Sequence, residues 1–468
     1  MNTIIHEIME KVTIDYEKVM GKLIDDIVKG KGEISEVNKK LEEMLDEIGV
    51  MLVKHVLETI DDIVRDSEAR KEKGYNIEKR NVEKTLITVF GDVNYKRTYY
   101  KNKRNGEYAY LSDEILGLEP NDRMDMLFET RLIENAIDLS YRKSGKSVSS
   151  NTEVADQTVM NTIRKLGKVE NNIVEIKEKK KEIDILFIEA DEDHVPMQDG
   201  TNRQIKLVYV HEGRRLVSKD RYELKNPRFF AGYYTDSEEL WLEVADYLDK
   251  AYDMEKVEKV YLSGDGANWI REGLNWINKS EYVLDYFHLS KYVRIATAHM
   301  EPCFHRILWD YIDGLNKEAV KDLLNLIIEQ TESKTKREAV KDSKRYILRN
   351  WEGIVRRYDD DYIGCSAEGH VSHILSARLS SRPLGWSIEG ADQMARLRVY
   401  KTNGGDIYRL MKNKKSESKK EARIIELDKR VVKGKLKASF HGNLDNIPAI
   451  NSGKRTWEKQ IFKSVRGI

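Results

Sequence analysis

Two apolar runs that each end in an acid constrain this chain more than any other feature. They are IDILFIEAD, closing on Asp191, and KVEKVYLSGDG, closing on Asp265. Runs of this length and β-branched content read as buried strands. Between them lie IKLVYVHEG, a second strand, a third strand within 221–230, and SEELWLEVADYLDKAY, an amphipathic helix. GANWIREGLNWI then reads as a helix and EYVLDYFHL as a strand, and the pattern is helical from Lys291 to about Tyr358. A helix with a polar start follows, in GCSAEGHVSHILSARLSSRPLGWS, with a stop at Pro383-Leu384-Gly385. Such alternation implies a mixed sheet flanked by helices, and acids at the carboxyl ends of its strands converge in space.

The flanking segments have other textures. In residues 1–80, Ile4, Ile8, Val12, Val19, Leu23 and Ile27 recur at helical spacing. After the KGKG break, Ile34, Val37, Leu41, Leu45, Ile48, Leu52, Val56, Ile60 and Ile63 do the same. These are either two amphipathic helices packed on the rest of the chain or a dimerisation hairpin. Residues 81–115 change period: TLITVF, Gly91-Asp92 and VNYKRTYY alternate as strands, and Asn105-Gly106 marks a type I′ hairpin before EYAYL. Lys96 and Arg97 interleave there with Tyr95, Tyr99 and Tyr100, which suits a nucleic-acid surface and equally an ordinary solvated sheet. Residues 116–178 return to helix and carry the outline of a helix-turn-helix. Asn151 to Leu166 is its recognition segment, and Arg142, Lys143, Lys146, Arg164 and Lys165 supply the bases. Residues 180–290 and 359–400 form the sheet-bearing core, 291–358 an all-α insertion, and 401–468 a basic tail. The fold class is therefore multidomain α+β.

Net charge gives no argument for nucleic acid, because 81 basic and 81 acidic residues cancel, so DNA binding has to rest on local patches. Two cysteines exclude a disulfide framework and a four-cysteine zinc site. The absence of a signal-peptide pattern or of a long apolar run gives the expectation of a cytoplasmic protein with no membrane partner.

Chemistry is expected from three acids. Asp191 and Asp265 close strands, and Glu368 opens the helix downstream. Carboxylates gathered together repel unless cations lie between them, and all-oxygen ligands favour Mg²⁺ or Mn²⁺. Two such ions roughly 4 Å apart activate an attacking hydroxyl and steady the leaving oxygen of a phosphodiester. Singly, each acid is weak evidence, since acids after strands commonly cap the next helix, and Glu189 and Asp193 compete with Asp191 within EADEDHV. Asp193 is the reserve for the first acid and Glu352 for the third. The order carries the weight: strand-Asp, hairpin, helix, strand-Asp, strand, helical insert, helix-Glu is the order of an RNase H-like catalytic core with an α-helical insertion. His194, beside the first acid, is set aside because strand neighbours point to opposite faces. Cys303 and His305 are set aside because two ligands are not a zinc site.

FIEADEDHV, YVHEG, LSGDGANWI, LDYFHLSKY and EGHVSHILSARLSSRPLGWS resemble bacterial insertion-sequence transposases of the ISLre type, a group also known as an uncharacterised protein family and distantly similar to Mutator-like DDE transposases. The resemblance is clearest over 80–400. It implies that Asp191, Asp265 and Glu368 form the catalytic triad. Asp285 to His288 matches the Asp-x-x-His signature that follows the second acid in the Mutator-like enzymes, so a supporting role is expected there. The resemblance further suggests that Arg378 contacts DNA phosphate; otherwise it is a surface cation. His370 and His373 could line the site, although a lone helical His is more often structural. The implied function is cleavage and strand transfer at the ends of a mobile element, with terminal inverted repeats and target DNA as partners and a homodimer or higher assembly on DNA. The rivals are a metal-dependent nuclease that cuts without joining and a DNA-binding descendant with a dead site.

Overall fold

The computed structural model describes residues 13–14, 19–119, 121–219, 221–382 and 385–418. The apolar positions Ile4, Ile8 and Val12 and most of the basic tail lie outside them. The chain divides into two compact units. One comprises Met1–Ala136, Ser140–Val159 and Met411–Ile468, and the other Ile137–Leu139 and Met160–Leu410.

In the first unit, helix α1 (Gly21–Val28) ends at Gly30, whose φ of +69° suits glycine. Helix α2 (Ile34–Asp66) then runs for 33 residues. Its inner face packs on a three-stranded antiparallel sheet of β1 (Tyr75–Thr88), β2 (Gly91–Asn102) and β3 (Tyr108–Ala109). Buried Asp61 fastens the two, accepting from Thr98 N at 2.9 Å, Thr98 Oγ1 at 2.6 Å and Ser112 Oγ at 2.9 Å. β1 begins at Tyr75, inside the stretch expected to be helical, because GYNIEKRNVEK pairs along β2 while leaving its charged side chains in water. The first turn is Val89-Phe90 and not Gly91-Asp92, since Thr88 already pairs with Gly91. At Asn105-Gly106 only Gly106 has positive φ, +75°, so the loop is wider than a type I′ turn. Helices α3 (Met126–Asp138) and α4 (Tyr141–Ser147) follow, α3 with its last two residues in the second unit, and α5 (Asp156–Leu166) begins in this unit and belongs to the second from Met160 on.

The second unit is built on a five-stranded mixed sheet. Its strands are β4 (Ile185–Pro196), β5 (Asn202–His211), β8 (Arg228–Gly232), β9 (Lys259–Gly264) and β10 (Ser280–Leu284). The order is β10-β9-β4-β5-β8; β4 pairs antiparallel with β5 and parallel with β9, and β9 pairs parallel with β10. The expected third strand at 221–230 resolves into two elements. β6 (Arg214–Ser218) and β7 (Arg221–Leu224) make a separate ribbon, and β8 returns to the sheet. The segment EYVLDYFHL is strand only as far as Leu284, since Asp285 caps helix α7 (Tyr286–Thr297).

One face of β4 presents Leu186, Ile188 and Ala190 to the main core. That core also contains Leu240, Trp241 and Val244 of α6 (Ser237–Ala251). It extends into α7, α8 (Pro302–Asp313), α9 (Lys317–Gln330) and α10 (Lys334–Arg349) through Leu289, Leu308, Leu324 and Ile347. The helical insertion therefore shares its core with the sheet. The other face of β4 carries Phe187, Glu189, Asp191 and Asp193.

Candidate active site

The site follows from strand register. Parallel pairing sets Glu189 against Ser263 and Ser263 against Val283. Continuing that register by two residues brings Asp191, Asp265 and Asp285 level across three adjacent parallel strands; Asp265 and Asp285 directly follow the ends of β9 and β10, whereas β4 does not close on Asp191 as expected but runs on to Pro196, still paired with β5. Positions two apart on a strand share a face, so these acids continue the rows of Phe187, Tyr261 and Val283, which pack together. The backbone N–H of Asp285 donates to Gly264 O at 3.0 Å, which holds the third segment in register. Asp265 is fixed by Gly266, whose φ is +88°. A Cβ there would stand 2.5 Å from Asn350 Oδ1 and 2.9 Å from Tyr282 OH. Asp265 Oδ1 accepts from Ala267 N at 2.8 Å, but the helix beginning at Asn268 takes no side-chain cap from Ala267, its N-cap residue.

Glu368 comes to the same face on the helix Ala367–Val371, and Glu189 fixes that helix. The buried Glu189 carboxylate accepts from Ser366 N, from Ser366 Oγ at 3.1 Å and from Tyr209 OH, and it meets His211 Nε2 at 3.0 Å. Burial alone would raise its pKa, yet the hydrogen bonds and charge of His211, the Tyr209 hydroxyl and the Ser366 amide outweigh it and hold the group at about 2. Glu189 is thus an ionised pin beneath the helix and not a ligand in waiting. The His370 ring packs tilted against Tyr209 with ring centroids 4.6 Å apart, while His373 is exposed. The helix widens into a π turn at Ser372–Ser376, a feature frequent at functional sites. Arg398 donates to the carbonyls of His373 and Ile374 within that turn.

The acids sense one another. Burial first, then the negative charges of Glu368 and Glu192, raise the pKa of Asp191 from 3.8 to about 7, against the Glu192 N–H and His288, which lower it. Asp285 accepts from His288 N at 3.0 Å and meets His288 Nδ1 at 2.6 Å. Burial lowers the His288 pKa, but the hydrogen bond and charge of Asp285, with the charges of Asp265 and Asp191, outweigh it and raise the pKa above its ordinary value. Asp193 is also raised, by burial; Ser380 Oγ donates to its Oδ1 at 2.8 Å, and its buried Oδ2 has no hydrogen-bond partner.

Among the described residues, no three His, Cys, Asp or Glu side chains converge closely enough to enclose a cation unaided. The donor set still fits a hard divalent ion. It is all oxygen, Asp191 lies in a desolvated setting where the Glu192 N–H and His288 only partly offset the cost of its charge, and a cation would relieve the repulsion from Glu368 and Glu192.

Other expected residues are placed as follows. Arg378 is buried, with its guanidinium 4.9 Å from the Trp386 ring centroid, and is not the phosphate-facing or surface cation expected. Arg97 is also buried. It pairs with Asp113 and lies 3.5 Å from the Tyr110 ring centroid, which withdraws it from any DNA-facing set. Lys96, Arg142, Lys143, Lys146, Arg164 and Lys165 are exposed. His194 is exposed and lies 3.9 Å from Glu192, on the face away from Asp191. Glu192 was overlooked. It accepts from Trp269 Nε1 at 2.6 Å, and its pKa is raised by burial and then by Asp265. Its place within EADEDHV was the available signal.

A family model described as "Uncharacterised protein family (UPF0236)" matches residues 28–416. The chain belongs to the UPF0236 family. Two UPF0236 proteins of Caldanaerobacter subterraneus subsp. tengcongensis are each 41% identical to it, over 99% of this chain and 98% of their own length. One carries eleven locus designations under a single protein name and the other four. A UPF0236 protein of Streptococcus gallolyticus, described as lying in the vanSb 3′ region, is 24% identical over 81% of this chain and 86% of its own. No helix among the described residues is long and apolar enough to cross a membrane.

Proposed function

We propose that this UPF0236 protein is a DDE-type DNA transposase with an RNase H-like catalytic core, cutting and joining DNA at the ends of an insertion sequence. The observation that carries the reading is the shared level of Asp191, Asp265 and Asp285 across three adjacent parallel strands, with the charge of Glu368 acting on Asp191. The strand order, with antiparallel β5 on one side of β4 and parallel β9 and then β10 on the other, supports the RNase H-like assignment. The eleven locus designations of one relative support mobility, since a sequence repeated across a genome is what a moved or copied element leaves.

In this reading Asp191, Asp265 and Glu368 hold two Mg²⁺ or Mn²⁺ ions. When bound, such ions activate the attacking hydroxyl and stabilise the leaving oxygen of a phosphodiester. The chain's own residues prepare the place. Glu189 fixes the Glu368 helix, Gly266 sets the Asp265 turn, and Asp285 orients His288 toward the acids as a positive group beside a DNA phosphate. Exposed Lys96, Arg142, Lys143, Lys146, Arg164 and Lys165 are assigned to DNA backbone contacts. The exposed stripe on α2 (Leu41, Leu45, Leu52 and Val56) is assigned to self-association. The test is incubation of full-length protein with element-end DNA, target DNA and Mg²⁺. Joined products support the transposase. Cut but unjoined ends support the nuclease reading, and binding without cutting supports a DNA-binding descendant.

A further inference from the structure

The ribbon β6–β7 leaves the sheet between β5 and β8 and has no part in the chemistry above. Its sequence, RRLVSKDRYELK over 214–225, holds five cations against two acids. Leu216, Val217 and Tyr222 stand on it 63%, 49% and 62% exposed. At its base opens a pocket of about 460 Å³ whose lining includes Arg214, Tyr222, Pro227, Ser366 and His370. That volume lies within the range of small-ligand sites. Arg214 Nη2 is buried there without a hydrogen-bond partner. Its charge partner there is Glu189 Oε1, at 3.8 Å, an ion pair too long to be a hydrogen bond. A buried donor left unsatisfied is costly, and an acceptor entering the pocket would satisfy it. Ser366 and His370 flank Glu368 in sequence, so the pocket adjoins the segment that carries that carboxylate.

We propose that this pocket binds an unpaired DNA nucleotide, stacked on Tyr222 with a base edge or phosphate oxygen on Arg214, beside the strand being processed. The proposal rests on the DNA-transposase reading. A base inside a duplex cannot enter a concave pocket, whereas an unpaired base offers a free face and free edges. An aromatic ring, an imidazole and a guanidinium with a free hydrogen-bond donor, already beside the Glu189 carboxylate, suit a nucleotide better than a bare anion.

The experiment is fluorescence anisotropy with full-length protein in Ca²⁺. It compares a blunt duplex with the same duplex bearing a five-thymidine single-stranded extension. Wild type is expected to bind the extended probe more tightly. Tyr222→Ala should weaken that binding by roughly tenfold, the loss expected for one base–aromatic stack, and leave the blunt probe unchanged; Tyr222→Phe should restore it. Equal affinity of wild type for both probes, or equal loss on both in Tyr222→Ala, overturns the pocket while leaving the transposase reading intact. A protein that binds neither probe overturns both.

Discussion

Replacing Asp191 by Asn should stabilise the metal-free protein, although it removes a residue assigned to catalysis. The Asp191 carboxyl is buried beside Glu368 and Glu192, and its pKa rises from 3.8 to about 7. A rise of about three pH units, each worth about 1.4 kcal/mol, makes the ionised group cost about 4 kcal/mol as an upper figure. The folded state holds this proton more tightly than the unfolded state does. The cost is therefore nearly absent below about pH 4, grows between about 4 and 7, and is constant above. Asn mimics the protonated group at every pH. Urea unfolding in EDTA should show Asp191→Asn more stable than wild type at pH 8 by up to about 4 kcal/mol, with the gap closing at pH 4. Added Mg²⁺ should then stabilise wild type and leave the Asn variant unmoved. A variant less stable than wild type at pH 8, or a gap independent of pH, would refute the reasoning.

Three further outcomes are expected. His288→Gln should lose stability below pH 6.5, where the raised folded-state pKa of His288 contributes in full, and approach wild type as pH rises through that pKa; a loss equal at pH 6 and pH 9 in paired melts would contradict it. Glu189→Gln removes the buried charge held by His211, Tyr209 and Ser366 and should cost about 2–4 kcal/mol in urea unfolding, with a neutral result counting against its role as a pin. Leu45→Glu with Leu52→Glu on the exposed stripe of α2 should leave the fold intact and lower the mass of the DNA-bound assembly in light scattering, and an unchanged mass would place self-association elsewhere.

Much of the sheet was legible because β4 and β9 are buried on both faces, so ILFIEA and VYLSG read as continuous apolar runs ending in acids. The level shared by Asp191, Asp265 and Asp285 was not legible, because it depends on pairing register between segments about 70 and 20 residues apart in sequence. β1 was hidden because its first half is charged and solvent-facing, so its alternation carries no apolar signal. β7 was merged with β8 in one expected strand over 221–230, and β6 was not anticipated. Arg97 was read as a surface base because cations usually are, and Arg378 as a phosphate contact from the resemblance. Their burial depends on Asp113 and Tyr110 in one case and Trp386 in the other, partners that chain spacing alone does not reveal.

The central claim is most directly tested at Glu368. Glu368→Gln keeps the size of the side chain and removes the charge that two-metal catalysis needs, and the residue is exposed at the start of its helix, so the fold should be unaffected. The measurement is cleavage and joining of element-end DNA in Mg²⁺ or Mn²⁺, with binding of the same DNA measured in parallel. The account predicts that wild type cuts and joins, that the Gln variant loses cleavage by orders of magnitude, and that both bind DNA with similar affinity. Cleavage by the Gln variant at the wild-type rate, or wild-type protein that binds the ends and never cuts them, would contradict it.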